Sequence, residues 1–180
     1  SIMKLTIKFI LALFIVLFYT NSFSQKPLEL KNSNLEGVSP EGKFWWWKND
    51  AKNGADATFS VEDFDTNPGS QRALKVETHR LGDKGWFLST QYNQKFKGNE
   101  GDEVTITFHA KNKGGNGKIK LVIQSDVKGS FQGKDFYLTE DWTRYSHTFN
   151  LKSKSNNQGV KFWYMTESTE FYLDDLTISK

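Results

Sequence analysis

Apolar and polar residues alternate along short segments through most of this chain, and this alternation is the strongest constraint on its fold. In residues 104–110, for example, Val, Ile, Phe and Ala alternate with Thr, Thr and His. Successive side chains of a β-strand point to opposite faces, so the pattern predicts strands with one buried face. Similar segments occur at residues 35–38, 44–48, 57–61, 73–78, 86–92, 118–124, 142–151, 160–165 and 171–178.

These segments predict an all-β protein. Helical periodicity is hard to find after Gln25, and turns rich in Gly, Asn, Asp and Lys separate about ten short segments, a spacing typical of a sandwich. No linker or internal repeat divides them. We therefore expect a single antiparallel β-sandwich, a jelly roll. The Gly- and Asn-rich residues 112–117 predict a hairpin, because such turns require positive φ angles.

The first residues have the pattern of a secretory signal. Lys4 and Lys8 lead into an apolar run over residues 9–18, and Ser22 and Ser24 supply the small residues of a cleavage site. A membrane span needs roughly 20 apolar residues, which makes an uncleaved anchor the weaker alternative. We predict a signal peptide over residues 1–24, a domain over residues 25–180, and a periplasmic, cell-surface or extracellular location without further membrane association.

Charge and cysteine content exclude several classes of function. Without Lys4 and Lys8 the chain has 22 basic and 21 acidic residues, a net charge of +1 (22 − 21) that argues against nucleic-acid binding. The absence of cysteine excludes disulfides, thiol catalysis and cysteine-based metal sites. Lysines are dense in residues 111–120 and 152–161. They indicate either solvated strand faces or a basic rim for an anionic ligand such as a uronate or sulfated polysaccharide.

No catalytic motif is present. The sequence lacks nucleophile-elbow, phosphate-loop, dinucleotide and zinc-protease patterns, and its three histidines, His79, His109 and His147, are far apart. Asp174 and Asp175 differ from the other carboxylates because they interrupt an apolar strand. Asp174 has the parity of Leu176 and Ile178, so we expect it to be buried, either hydrogen-bonded or bound to a hard cation such as calcium.

The six tryptophans point to a second kind of site. Three are consecutive at residues 45–47, so on a strand Trp46 would face away from its neighbours. Trp86 and Trp163 lie on predicted strands flanked by polar residues, whereas Trp142, with Tyr145 and Phe149, fits a core. Exposed rings with nearby amides suit sugars, since the ring stacks on C–H groups while the amide binds hydroxyls. Core packing is the alternative for each tryptophan.

The order of these motifs resembles the carbohydrate-binding modules of families four, nine and twenty-two, which have a galactose-binding-like jelly-roll fold. The motifs are Asn34-Leu-Glu-Gly37, Arg72-Ala-Leu-Lys-Val76, Gly85-Trp86 with Gln91, Gly101 with residues 104–111, Trp142-Thr-Arg-Tyr145 with Phe149, and Phe171-Tyr-Leu-Asp-Asp-Leu176. The resemblance implies a non-catalytic module that binds polysaccharide or oligosaccharide chains, often beside a glycoside hydrolase or polysaccharide lyase. We also expect a monomer.

The resemblance also implies particular site residues. A structural calcium would be held by Glu36 and Asp174, with Asp175 as the second choice. The carbohydrate-binding residues that it implies are Trp86, Gln91, Gln124, Phe131 and Trp163. Trp46 is a further candidate, because strand alternation would turn it away from Trp45 and Trp47. Residues 45–47 depart from the family pattern and either extend the cleft or seal an edge. His109 stands where the family often has an aromatic residue.

Two other functions remain open at this stage. The first is a small jelly-roll polysaccharide lyase or glycoside hydrolase that uses Tyr, His and Arg or a carboxylate pair. The second is a cell-surface module whose exposed tryptophans bind another protein.

Overall fold

The protein folds as two packed β-sheets. A computed structural model describes residues 25–114 and 116–180. Its ten strands are β1 (Trp47–Ala51), β2 (Asp56–Glu62), β3 (Ala73–Arg80), β4 (Leu88–Gly98), β5 (Glu103–Lys113), β6 (Lys118–Gln124), β7 (Gln132–Tyr137), β8 (Thr143–Asn150), β9 (Ser155–Tyr164) and β10 (Thr169–Ser179). Within the described residues the only helix is one 3₁₀ turn, Gly85–Phe87.

The strands form two five-stranded antiparallel sheets. Sheet I has the order β1-β4-β9-β6-β7, and sheet II has the order β2-β3-β10-β5-β8. Only β2–β3 and β6–β7 are neighbours both in the chain and in a sheet, so most connections cross from one sheet to the other. This is the jelly-roll sandwich that the alternating segments predict, and the prediction of the fold is confirmed.

Aromatic rings join the two sheets at the centre of the core. Phe108 of β5 packs against Phe162 of β9 with ring centroids 5.0 Å apart, and it also contacts Phe136 at 5.4 Å and Tyr145 at 5.5 Å. Phe108 and Phe162 are both fully buried. The inward residues of both sheets thus form one apolar layer, which leaves the outward residues of each strand free for other uses.

Three predicted elements differ in the structure. Residues 35–38 form no strand; Leu35 enters the core from a turn at φ 56°. Strand β7 was not predicted, because its sequence Gln-Gly-Lys-Asp-Phe-Tyr is largely polar and it lies at a sheet edge. Residues 112–117 make no hairpin, since β5 and β6 belong to different sheets. Turn-forming residues predict where a chain bends but not which strands pair.

The tryptophans at residues 45–47 do not form a strand together. Trp45 and Trp46 lie in a turn, with Trp46 at φ 68°, and only Trp47 begins β1 and enters the core.

Trp142 also differs from its prediction. It is half-buried and packs edge-on against Tyr172 at 6.3 Å, whereas Phe149 is in the core and Tyr145 packs partly buried against it.

A bulge in β10 changes the face on which Asp174 lies. The register between β10 and β5 shifts between Asp174 and Thr177, and Asp175 has φ 49°. Leu173 and Leu176 therefore both enter the core, while Asp174 shares the outer side of Tyr172. Asp174 is buried, as expected. It does not lie on the same face as Leu176, contrary to what its position in the sequence predicts, because the bulge adds one residue between them.

In residues 25–114 and 116–180 no helix is long and apolar enough to cross a membrane. The predicted signal peptide, residues 1–24, lies outside the described residues and remains a prediction.

The inter-sheet contact yields a stability prediction. We expect Phe108→Ala to lower the free energy of unfolding by about 3–5 kcal/mol, because it leaves a cavity between three other rings. Urea unfolding followed by fluorescence measures this loss. Tyr137→Ala is the control, since Tyr137 is 66% exposed, and it should change stability by less than about 1 kcal/mol. Equal losses in the two variants would contradict this account of the core.

Candidate functional site

A groove crosses the outer face of sheet I from β1 to the start of β7. We call it the aromatic groove. Its volume is about 710 Å³, within the range of pockets that hold small ligands. It is lined by Lys48, Asp50, Lys52, Trp86, Ser89, Gln91, Lys120, Gln124, Phe131, Lys161 and Trp163.

Three aromatic rings form a row within the groove. Trp163 lies in the middle, 5.9 Å from Trp86 and 5.3 Å from Phe131 between ring centroids, and its plane is nearly parallel to that of Phe131 at 19°. Trp86 is 48% exposed and Phe131 is 40% exposed. Large apolar rings that are this accessible and this close together form a platform for a flat, partly apolar ligand.

Local backbone structure places each ring. Trp163 pairs across the sheet with Ser89 and Lys120, so a small side chain stands on one side of it. Gly133 leaves room for the ring of Phe131, since a Cβ atom at position 133 would lie 3.4 Å from Phe131 Cζ and 3.0 Å from Lys120 Cδ. Trp86 lies on the 3₁₀ turn rather than on a strand, so its predicted strand position is wrong.

Five of the six residues predicted to bind carbohydrate meet in this groove: Trp86, Gln91, Gln124, Phe131 and Trp163. Trp46 does not line it. Its carbonyl oxygen accepts a hydrogen bond from the Asn93 N–H at 2.8 Å, and Lys31 Nζ lies 4.6 Å from the centre of its ring. The positive φ of Trp46 removes it from the strand alternation on which its prediction depended.

The lysine-dense residues 111–120 and 152–161, for which a basic rim was one of two interpretations, contribute Lys120 and Lys161 to the groove, whereas the charged residues near β1 were not predicted. Lys48 and Asp50 occupy alternate positions along β1, Lys52 directly follows the last residue of that strand, and Lys161 lies two residues before Trp163 on β9. Lys161 is two residues from Trp163 on a predicted strand, so alternation places both side chains on the same face, and this spacing could have identified Lys161 from the sequence. Four lysines and one aspartate line the groove, so its local charge is positive although the chain is nearly neutral.

The groove lysines differ in their partners. Lys52 lies 3.1 Å from Asp50, and Lys120 lies 3.0 Å from Asp135. Neither Lys48 nor Lys161 has a carboxylate within 4.0 Å in the described part of the chain. Burial, together with the positive charges of Lys52 and Lys48, lowers the pKa of Lys161. The charge of Asp50 partly offsets these effects, but no carboxylate of the described residues contacts this half-buried ammonium group.

The predicted metal ligands meet elsewhere, at what we call the carboxylate pocket, lined by Asn34, Glu36, residues 68–72 and Asp175. Glu36 Oε1 accepts the N–H of Gln71 at 2.8 Å. Asp175 Oδ2 accepts a hydrogen bond from Asn67 Nδ2 at 2.7 Å.

Asp174 is the distinctive group beside this pocket. Its Oδ1 accepts the N–H of Asp175 at 2.8 Å, while its Oδ2 is buried without a hydrogen-bond partner among the described residues. Burial raises the pKa of Asp174 to about 7, with a smaller contribution from the charges of Asp175 and Glu36 and against the opposing effect of the Ser70 side chain and the Asp175 N–H. A buried carboxylate beside two others is costly unless it is protonated or neutralised by a cation.

These residues fit a hard cation such as calcium. Such a cation takes carboxylate and carbonyl oxygens, and it would neutralise the charges gathered at Asp174. In the described ranges no three His, Cys, Asp or Glu side chains are grouped as a metal site, so backbone oxygens of the loop would have to complete the shell.

The histidines occupy strands of sheet II: His79 on β3, His109 on β5 and His147 on β8. His109 pairs with Asp174, and its Nδ1 lies 3.6 Å from Asp175 Oδ2. It therefore belongs to the sheet opposite the aromatic groove and does not line that groove.

Solved structures share this fold. A structure described as "CBM4 structure and function" is 18% identical, with a TM-score of 0.64 over 84% of this chain and 99% of its own. The CBM22-1 xylan-binding domain from Paenibacillus barcinonensis Xyn10C is 12% identical, with a TM-score of 0.58 over 87% of this chain and 95% of its own.

A third similar structure was solved with a glycan. It is a family 11 carbohydrate-binding module from Clostridium thermocellum in complex with a β-1,3-1,4-mixed-linked tetrasaccharide, 16% identical, with a TM-score of 0.57 over 86% of this chain and 94% of its own. No protein-family model and no curated protein sequence matches the chain. At these identities the likeness establishes the fold, the jelly roll of carbohydrate-binding modules.

The two kinds of tryptophan should differ in their effect on stability. Trp47 is 8% exposed and packs 5.0 Å from Tyr92, so we expect Trp47→Ala to cost about 3–5 kcal/mol of unfolding free energy. Trp86→Ala should cost less than about 1 kcal/mol, because Trp86 lies outside the core. Thermal melts of both variants test this, and a large loss for Trp86→Ala would mean that the groove is part of the packed interior.

Proposed function

We propose that this protein is a non-catalytic carbohydrate-binding module that binds polysaccharide or oligosaccharide chains in the aromatic groove. The observation that carries the proposal is the row of Trp86, Trp163 and Phe131, open to solvent and flanked by Gln91 and Gln124. The shared fold with carbohydrate-binding modules supports it.

Binding depends on two kinds of contact. The faces of the rings accept the C–H surfaces of sugar rings, which removes apolar area from water on both partners. The side chains of Gln91 and Gln124 each supply an amide donor and an acceptor for hydroxyl groups. Because the rings are already packed against one another, little side-chain entropy is lost when a chain binds.

The composition of the groove supports binding without bond cleavage. Glycoside hydrolases generally need two carboxyl groups that face the scissile bond. Of the described residues that line the groove, Asp50 alone has a carboxyl group, and it is paired with Lys52. A chain bound here meets rings, amides and lysines rather than an acid and a base.

We propose in addition that calcium binds at the carboxylate pocket and stabilises the fold. Asp174 and Glu36 would supply side-chain oxygens, and the unpartnered, buried Oδ2 of Asp174 supports this assignment. Asp175 is the weaker candidate, because its Oδ2 is approached by two side chains, Asn67 Nδ2 at 2.7 Å and His109 Nδ1 at 3.6 Å. The cation would neutralise these carboxylates and join the segment around Glu36 to strand β10.

Secretion and a partner enzyme complete the proposal. The signal-like residues 1–24 support export, and a binding module of this kind would hold a glycoside hydrolase or polysaccharide lyase near its substrate.

The groove predicts a specific loss of binding. Trp163→Ala should weaken binding of the mature protein to soluble polysaccharide by at least about tenfold, because Trp163 is the central ring of the row. Affinity electrophoresis against xylan, mixed-linkage β-glucan and polygalacturonate measures the change.

The matched control is Trp45→Ala. Trp45 is 56% exposed but does not line the groove, so its loss should leave migration unchanged. Equal effects of the two variants would place the site elsewhere. Release of new reducing ends or unsaturated uronates by the wild-type protein would replace the binding proposal with an enzymatic one.

The metal proposal predicts calcium-dependent stability. When the calcium concentration is about 100 times the Kd for calcium, binding should stabilise the folded state by about 2.7 kcal/mol. The Tm of the wild-type protein should then be roughly 5 °C higher than in excess chelator. Asp174→Asn should abolish this rise. Asp63→Asn, at an exposed loop position, is the control and should retain it. An identical wild-type Tm with calcium and with chelator would rule out the site.

A further inference from the structure

We propose that the aromatic groove selects acidic glycans, and that carboxylate or sulfate groups of the chain bind to Lys161 and Lys48. This inference rests on the proposed function and names the class of chain that the groove binds.

The arrangement of strands places the two lysines in one line. Lys48 of β1 pairs with Gln91 of β4, which pairs in turn with Lys161 of β9. With roughly 4.8 Å between neighbouring strands, the backbones of the two lysines are about 10 Å apart, with the Gln91 amide between them. The floor of the groove therefore carries two ammonium groups around one hydrogen-bonding side chain.

This charged line runs directly beside the aromatic row. Lys161 and Trp163 are two residues apart on the same face of β9, a backbone separation of about 6.6 Å. Trp163 pairs with Lys120 on the next strand. A sugar ring stacked on Trp163 would thus present its substituents to positive charge on two sides.

The charge balance of the groove favours an anion. Lys52 and Lys120 have carboxylate partners, whereas Lys48 and Lys161 have none within 4.0 Å among residues 25–114 and 116–180. Lys95, which lies over Gly159, adds another positive charge near Lys161. Burial and neighbouring ammonium groups lower the pKa values of both Lys161 and Lys95. A bound anion would relieve this repulsion, and a neutral chain would not.

The test compares acidic and neutral chains on the same protein. Affinity electrophoresis uses polygalacturonate for carboxylates, dextran sulfate for sulfates, mixed-linkage β-glucan and xylan as neutral chains, and poly-L-glutamate as an anion without sugars. We expect at least one acidic polysaccharide to bind about tenfold more tightly than either neutral chain, and added salt to weaken that binding. The acidic chain that binds more tightly identifies carboxylate or sulfate as the group recognised.

Four substitutions locate the charge effect. Lys161→Met and Lys48→Met keep the aliphatic part of each side chain but remove the ammonium group, and each should weaken acidic-glycan binding by about fivefold to tenfold. Lys26→Met removes the same charge from an exposed residue beside β10 of sheet II and should have no effect. Asp50→Asn removes the one acidic residue that lines the groove and should strengthen binding a few-fold.

Several outcomes would overturn this inference, and they differ from failure of the proposed function. Tight binding to a neutral chain that Lys161→Met leaves unchanged would refute acidic selectivity while retaining carbohydrate binding. Equal retention by poly-L-glutamate would show general anion attraction. Failure to bind any polysaccharide would refute both proposals. Asp50→Asn is expected to strengthen acidic-glycan binding, so the inference can be tested even if a lysine variant folds poorly.

Discussion

The ring contact between Phe108 and Phe162 is the interaction on which the rest of the molecule depends. It joins one strand from each sheet at the middle of the sandwich, with both rings fully buried. Once these inward residues are fixed, the period of two along a regular strand fixes the outward residues beside them. Lys161 and Trp163 point into the groove because Phe162, between them, points into the core. Interior packing therefore places Trp163, the central ring of the row, whereas Trp86 and Phe131 are supplied by the 3₁₀ turn and by the residue before β7.

Much of the fold could be predicted from the sequence because alternation is a local signal. The jelly roll follows from it, and so does the presence of Trp163, Gln91 and Gln124 on solvent-facing positions. The errors arose where the backbone leaves the strand region. Trp46 has a positive φ, and the β10 bulge moves Asp174 to the opposite face. The positive φ of Trp46 leaves no mark in the hydrophobic pattern. The bulge does interrupt the pattern, because two adjacent Asp residues separate Leu173 from Leu176, but the interruption does not by itself tell on which face Asp174 lies.

The site could be predicted only in part for a related reason. Aromatic residues far apart in the chain suggested a sugar platform, but their grouping depends on which strands are neighbours. Dense lysines in residues 111–120 and 152–161 suggested a basic rim, but the near-zero net charge did not show that they meet lysines near β1 on one face, because acidic residues elsewhere cancel that charge. Nothing in the sequence of β7 indicates that Gly133 leaves space beside Phe131. Distances between strands decide such features, and no local pattern encodes them.

The course of the groove across sheet I, rather than along one strand, has a consequence for how such a protein can change. Each strand contributes one or two outward side chains, and each of these is anchored independently by its own inward neighbours. A substitution at Gln91 or Gln124 changes one side chain of the groove without disturbing the interior or the neighbouring groove residues. Ligand preference can therefore drift in single steps while the sandwich stays intact, which separates the evolution of recognition from the evolution of stability.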